Sequence, residues 1–104
     1  MRDLKLMKKK FLSLNDVRKE IDIVDKKLLN LISDRKKLVD EAVKQKTEDQ
    51  IIDEVRIESI IKNLNSIAKR KEIPEGLIET IWREMISKFI EIFSLLGKNK
   101  LKEW

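Results

Sequence analysis

The sequence predicts an all-α fold of three helices, one long and two shorter. Three observations predict it. Over Leu14–Lys46 the apolar residues advance in steps of three and four, at Leu14, Val17, Ile21, Val24, Leu28, Leu31, Leu38 and Ala42. That is the seam of a long helix that packs against other helices. Two later stretches carry shorter stripes of the same helical period. The chain also has only two glycines, one proline and no tyrosine, a balance that favours long helices over sheet.

Composition narrows the function classes. At 104 residues the chain makes one domain with a modest core. Charged residues make up 41%, well above the roughly 25% of an average domain. The net charge of +5 suits an anionic partner, whether a small acid, a nucleic acid or a membrane surface. The absence of cysteine excludes disulfide and thiolate chemistry. The absence of histidine removes the commonest general base and the commonest metal ligand. No apolar run approaches the roughly 20 residues that span a bilayer. The basic start MRDLKLMKKKF has no apolar segment behind it, so it does not read as a secretory signal. A cytoplasmic protein without a membrane partner is expected.

Residues 1–12 form a basic extension with Arg2, Lys5, Lys8, Lys9 and Lys10. The first helix starts near Ser13 or Asn15, both good N-cap residues, and Asp16 in its first turn complements the helix dipole. The helix is expected to run to Lys46, where the polar stretch Thr47-Glu48-Asp49-Gln50 stops the pattern. At about 1.5 Å per residue it is a rod of nearly 50 Å. That is longer than a single small core, and a second copy of the chain is the simplest cover for its far end.

The second helix is expected from Asp49 or Asp53 to Lys71, with its stripe at Ile52, Val55, Ile60, Ile61, Leu64, Ile67 and Ala68 and with Arg56 beside that stripe. Ile73-Pro74 marks a break, because proline fits the first turn of a new helix and disfavours helical backbone before it. The third helix is expected from Pro74 to Leu96, facing inward at Ile78, Ile81, Trp82, Met85, Ile86, Phe89, Phe93 and Leu96 and ending at Gly97 as the C′ residue. The domain then covers residues 13–97, and residues 98–104 form a basic tail.

One position breaks the long seam. Between Leu31 and Leu38 the expected apolar residue is Arg35. A guanidinium cannot shed its proton and is costly in a core unless paired, so either an internal carboxylate or an external anion must meet it. Lys46, eleven residues on, falls within about 20° of the same face if the helix continues. Arg18, seventeen residues earlier, lies about 100° round the cylinder, where it can face a neighbouring copy. Arg56 is placed to fold back toward the end of the first helix. Cations converging on a helical core describe a pocket for a compact dicarboxylate.

These residues resemble a family. The run Arg18, Ile21, Asp25, Leu28, Leu29, followed by Asp34-Arg35 and then Lys46, is similar to the opening helix of the all-helical chorismate mutases, the AroQ class. The stretch Asp53-Glu54-Val55-Arg56-Ile57 stands where that family has its Asp-Pro-Glu-Arg-Glu element, and Ile81-Trp82 with Met85-Ile86 fits its third helix. The resemblance covers residues 13–96. It implies an intertwined homodimer whose long helices pair across the two-fold, with Arg18 entering the partner's site. It implies the rearrangement of chorismate to prephenate on the route to Phe and Tyr, a reaction that takes no metal or cofactor. Arg18 of the other copy, Arg35 and Arg56 would hold the two carboxylates. Lys46 would donate to the ether oxygen and Asp53 would accept from the ring hydroxyl.

The departures lie on one side of that pattern. Ile57 stands where the family has Glu, although Glu58 follows it. Phe93 stands at the polar position that supplies the second ether-oxygen donor, and Phe89 where a small polar residue is usual. Four explanations stay open: a shifted third helix, a slow enzyme, a partner enzyme of the same pathway that completes the site, or a different substrate, with isochorismate cleavage to salicylate and pyruvate the nearest. Two further readings are a catalytically silent binding domain and a basic nucleic-acid-binding module. Against the latter, acids run the length of the first helix, among them Asp16, Glu20, Asp22, Asp25, Asp34, Asp40 and Glu41, and no nucleic-acid-binding motif is present.

Overall fold

A computed structural model describes residues 13–46 and 52–102, with side chains described as far as residue 93. The basic extension 1–12, the polar stretch 47–50 and residues 103–104 lie outside the described residues. The described residues form three helices and no strand: α1 (Leu14–Lys44), α2 (Glu54–Arg70) and α3 (Leu77–Lys102). The all-α expectation holds. None of these helices is long and apolar enough to cross a membrane. The chain divides into two compact units, Met1–Gln45 and Lys46–Trp104.

The first unit is built on α1. Ser13 caps it, its Oγ accepting from the Asp16 N–H at 3.2 Å, and Asp16 adds negative charge at the positive end. The 31 residues make a rod of about 46 Å. No residue of α1 is buried. Apart from the half-buried Val17 the apolar seam is exposed, Leu31 by 63% and Leu38 by 70%. The helix closes two residues before the expected end: Gln45 is the C-cap, its N–H bonded to the Ala42 carbonyl at 3.1 Å. Lys46 therefore lies beyond α1, and the helical rotation that would align it with Arg35 does not extend to it.

The second unit is a hairpin of α2 and α3. Asp53 caps α2, its carboxylate accepting from the Arg56 N–H at 2.9 Å. Ile61 and Ala68 are buried and mark the line along which α2 meets α3. They are seven residues apart, within about 20° of each other. Ile52 and Val55, expected on that stripe, are exposed, because the buried line begins only at Ile61. Cross-links Glu58–Arg83 and Asn65–Glu79 run in opposite chain directions, so the helices are antiparallel.

The link between them is two turns with left-handed residues. At the end of α2, the Glu72 N–H bonds to the Lys69 carbonyl (3.3 Å) and the Ile73 N–H to the Ala68 carbonyl (3.0 Å). That is the Schellman pattern, with Glu72 at φ 59° in the C′ position that glycine usually fills. Pro74-Glu75-Gly76-Leu77 then makes a second turn, closed by Leu77 N–H to Pro74 carbonyl at 3.2 Å, with Gly76 at φ 84°. This turn delays α3, which was expected from Pro74, to Leu77. At the other end α3 does not stop at Gly97 but continues to Lys102. An interior glycine costs only about 1 kcal/mol, and the following Lys98, Lys100, Leu101 and Lys102 are good helix formers. Residues 98–102 of the expected tail thus belong to α3.

Candidate functional site

On α1 the two arginines of the expected site are separated by helix geometry. Seventeen residues place Arg18 and Arg35 about 25 Å apart along the axis and about 100° apart around it. A small diacid spans less than half that distance, so one α1 cannot offer both to one ligand. Arg18 is exposed. Arg35 is half-buried, although every other residue from 21 to 38 is exposed, and it has an interaction within the chain.

In the second unit, Asp53, Arg56 and Ile57 share the first turn of α2. The Glu58–Arg83 and Asn65–Glu79 links put Asp53 toward the same end of the hairpin as Phe89 and Phe93. Phe89 and Phe93 are both half-buried and share one face of α3, about 40° apart. Arg56 is exposed. It lies about 130° round α2 from the Ile61–Ala68 line, but within about 40° of Ile60 and about 20° of Ile67, the half-buried flank of the same stripe. Lys46 is half-buried. Among the described residues, no carboxylate pairs with the side chains of Arg18, Lys46 or Arg56.

The strongest polar cluster of the hairpin lies elsewhere. Arg83 of α3 takes both oxygens of Glu58 on α2, Nη1 to Oε1 at 3.0 Å and Nη2 to Oε2 at 3.1 Å. Its Nε donates to Glu79 Oε2 at 2.9 Å, and Asn65 Nδ2 donates to Glu79 Oε1 at 3.1 Å. Hydrogen bonds from Arg83 and then Asn65 hold the Glu79 carboxyl below its ordinary pKa. The two carboxylates, Glu58 first, raise that of Arg83. Glu58 and Asn65 lie about 60° from the buried line, on the flank away from Arg56. Glu58 therefore does not stand in for the glutamate that Ile57 replaces: its carboxylate is committed to Arg83.

Sequence reasoning missed this cluster. Its signal was present as two polar residues seven apart on α2, Glu58 and Asn65, facing an acid and a base four apart on α3, Glu79 and Arg83. A cavity of about 430 Å³ sits at the closed end of the hairpin, lined by Asn65, Ala68, Ile73, Pro74 and Ile78 among others. It contains none of the residues expected to bind substrate.

The chorismate mutase type II family model matches residues 17–93, 77 of the 104 residues. No curated protein and no solved structure matches the chain. The matched span runs from the start of α1, through Arg18, Arg35, Lys46 and Arg56, to Phe93 on α3, and lies within the residues 13–96 of the resemblance. The chain belongs to the chorismate mutase type II family, the all-helical AroQ class.

Proposed function

We propose that this protein is a chorismate mutase, converting chorismate to prephenate in the cytoplasmic route to phenylalanine and tyrosine. The observation that carries the reading is the family match over 17–93, which includes every cation the site needs. The reaction is a unimolecular rearrangement. The ether C–O bond breaks as a C–C bond forms between the enolpyruvyl methylene and the ring, and no proton leaves or arrives. No nucleophile or general base is required, which suits a chain without cysteine or histidine.

The protein's work is restraint and charge. Arg35, Arg56 and the Arg18 of a second copy hold the two carboxylates in the reactive, folded conformation. Lys46 donates to the ether oxygen, where negative charge grows as the bond breaks. Asp53 accepts from the ring hydroxyl while its other role, capping α2, keeps it in place. The 25 Å between Arg18 and Arg35 along one helix supports a homodimer in which each site draws Arg18 from the other chain. Phe93 and Phe89 cannot supply the second donor, so Lys46 acts alone at the ether oxygen and turnover is slow. A partner enzyme of the same pathway, supplying that donor, is the second way the site reaches full rate.

The test is to add chorismate to the purified protein, follow the loss of its diene absorbance and identify the product. Prephenate is expected. Salicylate and pyruvate formed from isochorismate, with no prephenate from chorismate, would replace the mutase reading with the lyase one. Tight binding of a bicyclic diacid transition-state analogue without turnover would leave a binding domain.

A further inference from the structure

The first two turns of α2 carry Asp53 as cap and Arg56 as a substrate cation, and their apolar anchor is thin. The first buried residue of α2 is Ile61, at the close of the second turn. Before it, Ile57 and Ile60 are only half-buried, Val55 is 82% exposed and Arg56 is exposed. Helix starts of this kind fray, since their first N–H groups lack helical partners and few apolar contacts resist opening. Among the described residues, one side-chain polar link ties this segment to α3: Glu58 held by both nitrogens of the Arg83 fork. The fork is itself braced, because its third nitrogen is held by Glu79 and Glu79 by Asn65. A planar, two-point bridge with a fixed third contact restricts orientation as well as distance.

We propose that Glu58 and Arg83 are positioning residues: their bridge holds the first two turns of α2 on α3 and so fixes Arg56 for the carboxylate it grips. The bridge acts from the flank opposite Arg56, so it shapes the site without touching substrate. The last clause rests on the mutase reading. The ordering of α2 does not.

The experiment has two arms. Amide hydrogen exchange is measured on the full chain, wild type beside Glu58→Gln and Arg83→Gln. Glu58→Gln is the milder variant, because the Arg83–Glu79 contact survives it. Amides of residues 57–60 should exchange at least fivefold faster in both variants, while those around Ala68 and Lys69 stay as in the wild type. Unchanged exchange at 57–60 would overturn the proposal. In the second arm, Glu58→Gln should raise KM for chorismate about tenfold, the size of one loosened charged hydrogen bond, with a smaller change in kcat. In an Arg56→Ala background the same substitution should change KM no further. An additional tenfold loss there would mean that Glu58 does not act through Arg56. A wild-type protein that leaves chorismate untouched would end the mutase reading, and the exchange arm would still decide whether the bridge orders α2.

Discussion

Arg83 and Glu58 meet through a two-point bridge, 3.0 and 3.1 Å, between helices that join twenty-five positions apart in sequence. The bridge closes one flank of the α2–α3 hairpin with charge while the buried line of Ile61 and Ala68 closes the centre with apolar contact. Glu79 completes the arrangement and gives it a pH dependence. Its carboxyl titrates lower folded than unfolded because Arg83 and Asn65 bond the ionised form. Such a group adds stability above its unfolded pKa and loses it as pH falls through the folded one. Urea midpoints should therefore decline as pH drops below about 4.5. Glu79→Gln should flatten that part of the decline, and an unaltered slope would count against the bonded carboxylate.

Glu72 and Gly76 occupy the same left-handed region, at φ 59° and 84°, with opposite suitability. A side chain in that region costs roughly 1–2 kcal/mol. Glu72→Gly should stabilise the protein by about 1 kcal/mol, partly offset by the freedom glycine adds to the unfolded chain. For a domain of this size that is a melting-temperature rise of roughly 4–8 °C. Gly76→Ala should do the reverse by a similar amount. No atom lies within 4 Å of where its Cβ would stand, so the whole cost is backbone strain. A melt of each variant checks the pair. Equal melting temperatures for Glu72→Gly and the wild type would mean the Schellman turn carries no strain.

Much of this was legible in the residues because it is local. Ser13 and Asp53 are N-caps whose bonds reach only three residues ahead, and the seam of α1 is a matter of period. The helix starts and stops that were misplaced depend on turns. Pro74 reads as a first helical residue, but Gly76 with its positive φ inserts a turn before Leu77. Gly97 reads as a stop, but good helix formers on its far side carry α3 to Lys102. The bridge from Glu58 to Arg83 was not legible at all, since pairing across a hairpin needs the register of two helices. For the site, the period pointed to Arg35 alone. Helical rotation then brought in Lys46 and Arg18, and the start of the second helix Arg56, whereas Asp53 as a substrate contact entered only through the family resemblance.

Asp53 has two roles that one pair of substitutions separates. As an N-cap it needs only an oxygen acceptor, so Asp53→Asn should melt within about 0.5 kcal/mol of the wild type, whereas Asp53→Ala should lose about 1 kcal/mol. As the acceptor of the substrate's ring hydroxyl it needs a carboxylate. Both variants should then lose at least tenfold in kcat/KM. If Asp53→Asn turned over chorismate like the wild type, capping would be the residue's whole contribution.

The exposed seam of α1 predicts the assembly. Leu28, Leu31 and Leu38 are each more than half exposed, and a contiguous apolar stripe of this length marks an interface. Sedimentation should show twice the 12.4 kDa of one chain at micromolar concentration. Leu31→Glu places a charge in the middle of that stripe and should give a helical monomer without turnover, because Arg18 then has no second chain to serve. A wild-type monomer would remove both the interface and the cross-chain role of Arg18.

Phe93 tests whether the site is short of one donor. It is half-buried on the face of α3 that also carries Phe89, and the proposed site puts it where a second hydrogen bond to the ether oxygen would come from. Losing one donor to a developing oxyanion costs on the order of 3 kcal/mol, a hundredfold or more in rate. Phe93→Gln restores a donor, so kcat should rise at least tenfold even as stability falls through lost apolar burial. The competing account is that Phe93 is apolar packing, half-buried like Phe89 and Trp82 on the same helix. The amide would then be buried without a partner, at roughly 1–3 kcal/mol of stability, and nothing would be gained in rate. Turnover and melting temperature of this single variant separate the two accounts. A destabilised Phe93→Gln with unchanged or lower kcat would show that the aromatic ring is packing and that Lys46 is not waiting for a second donor.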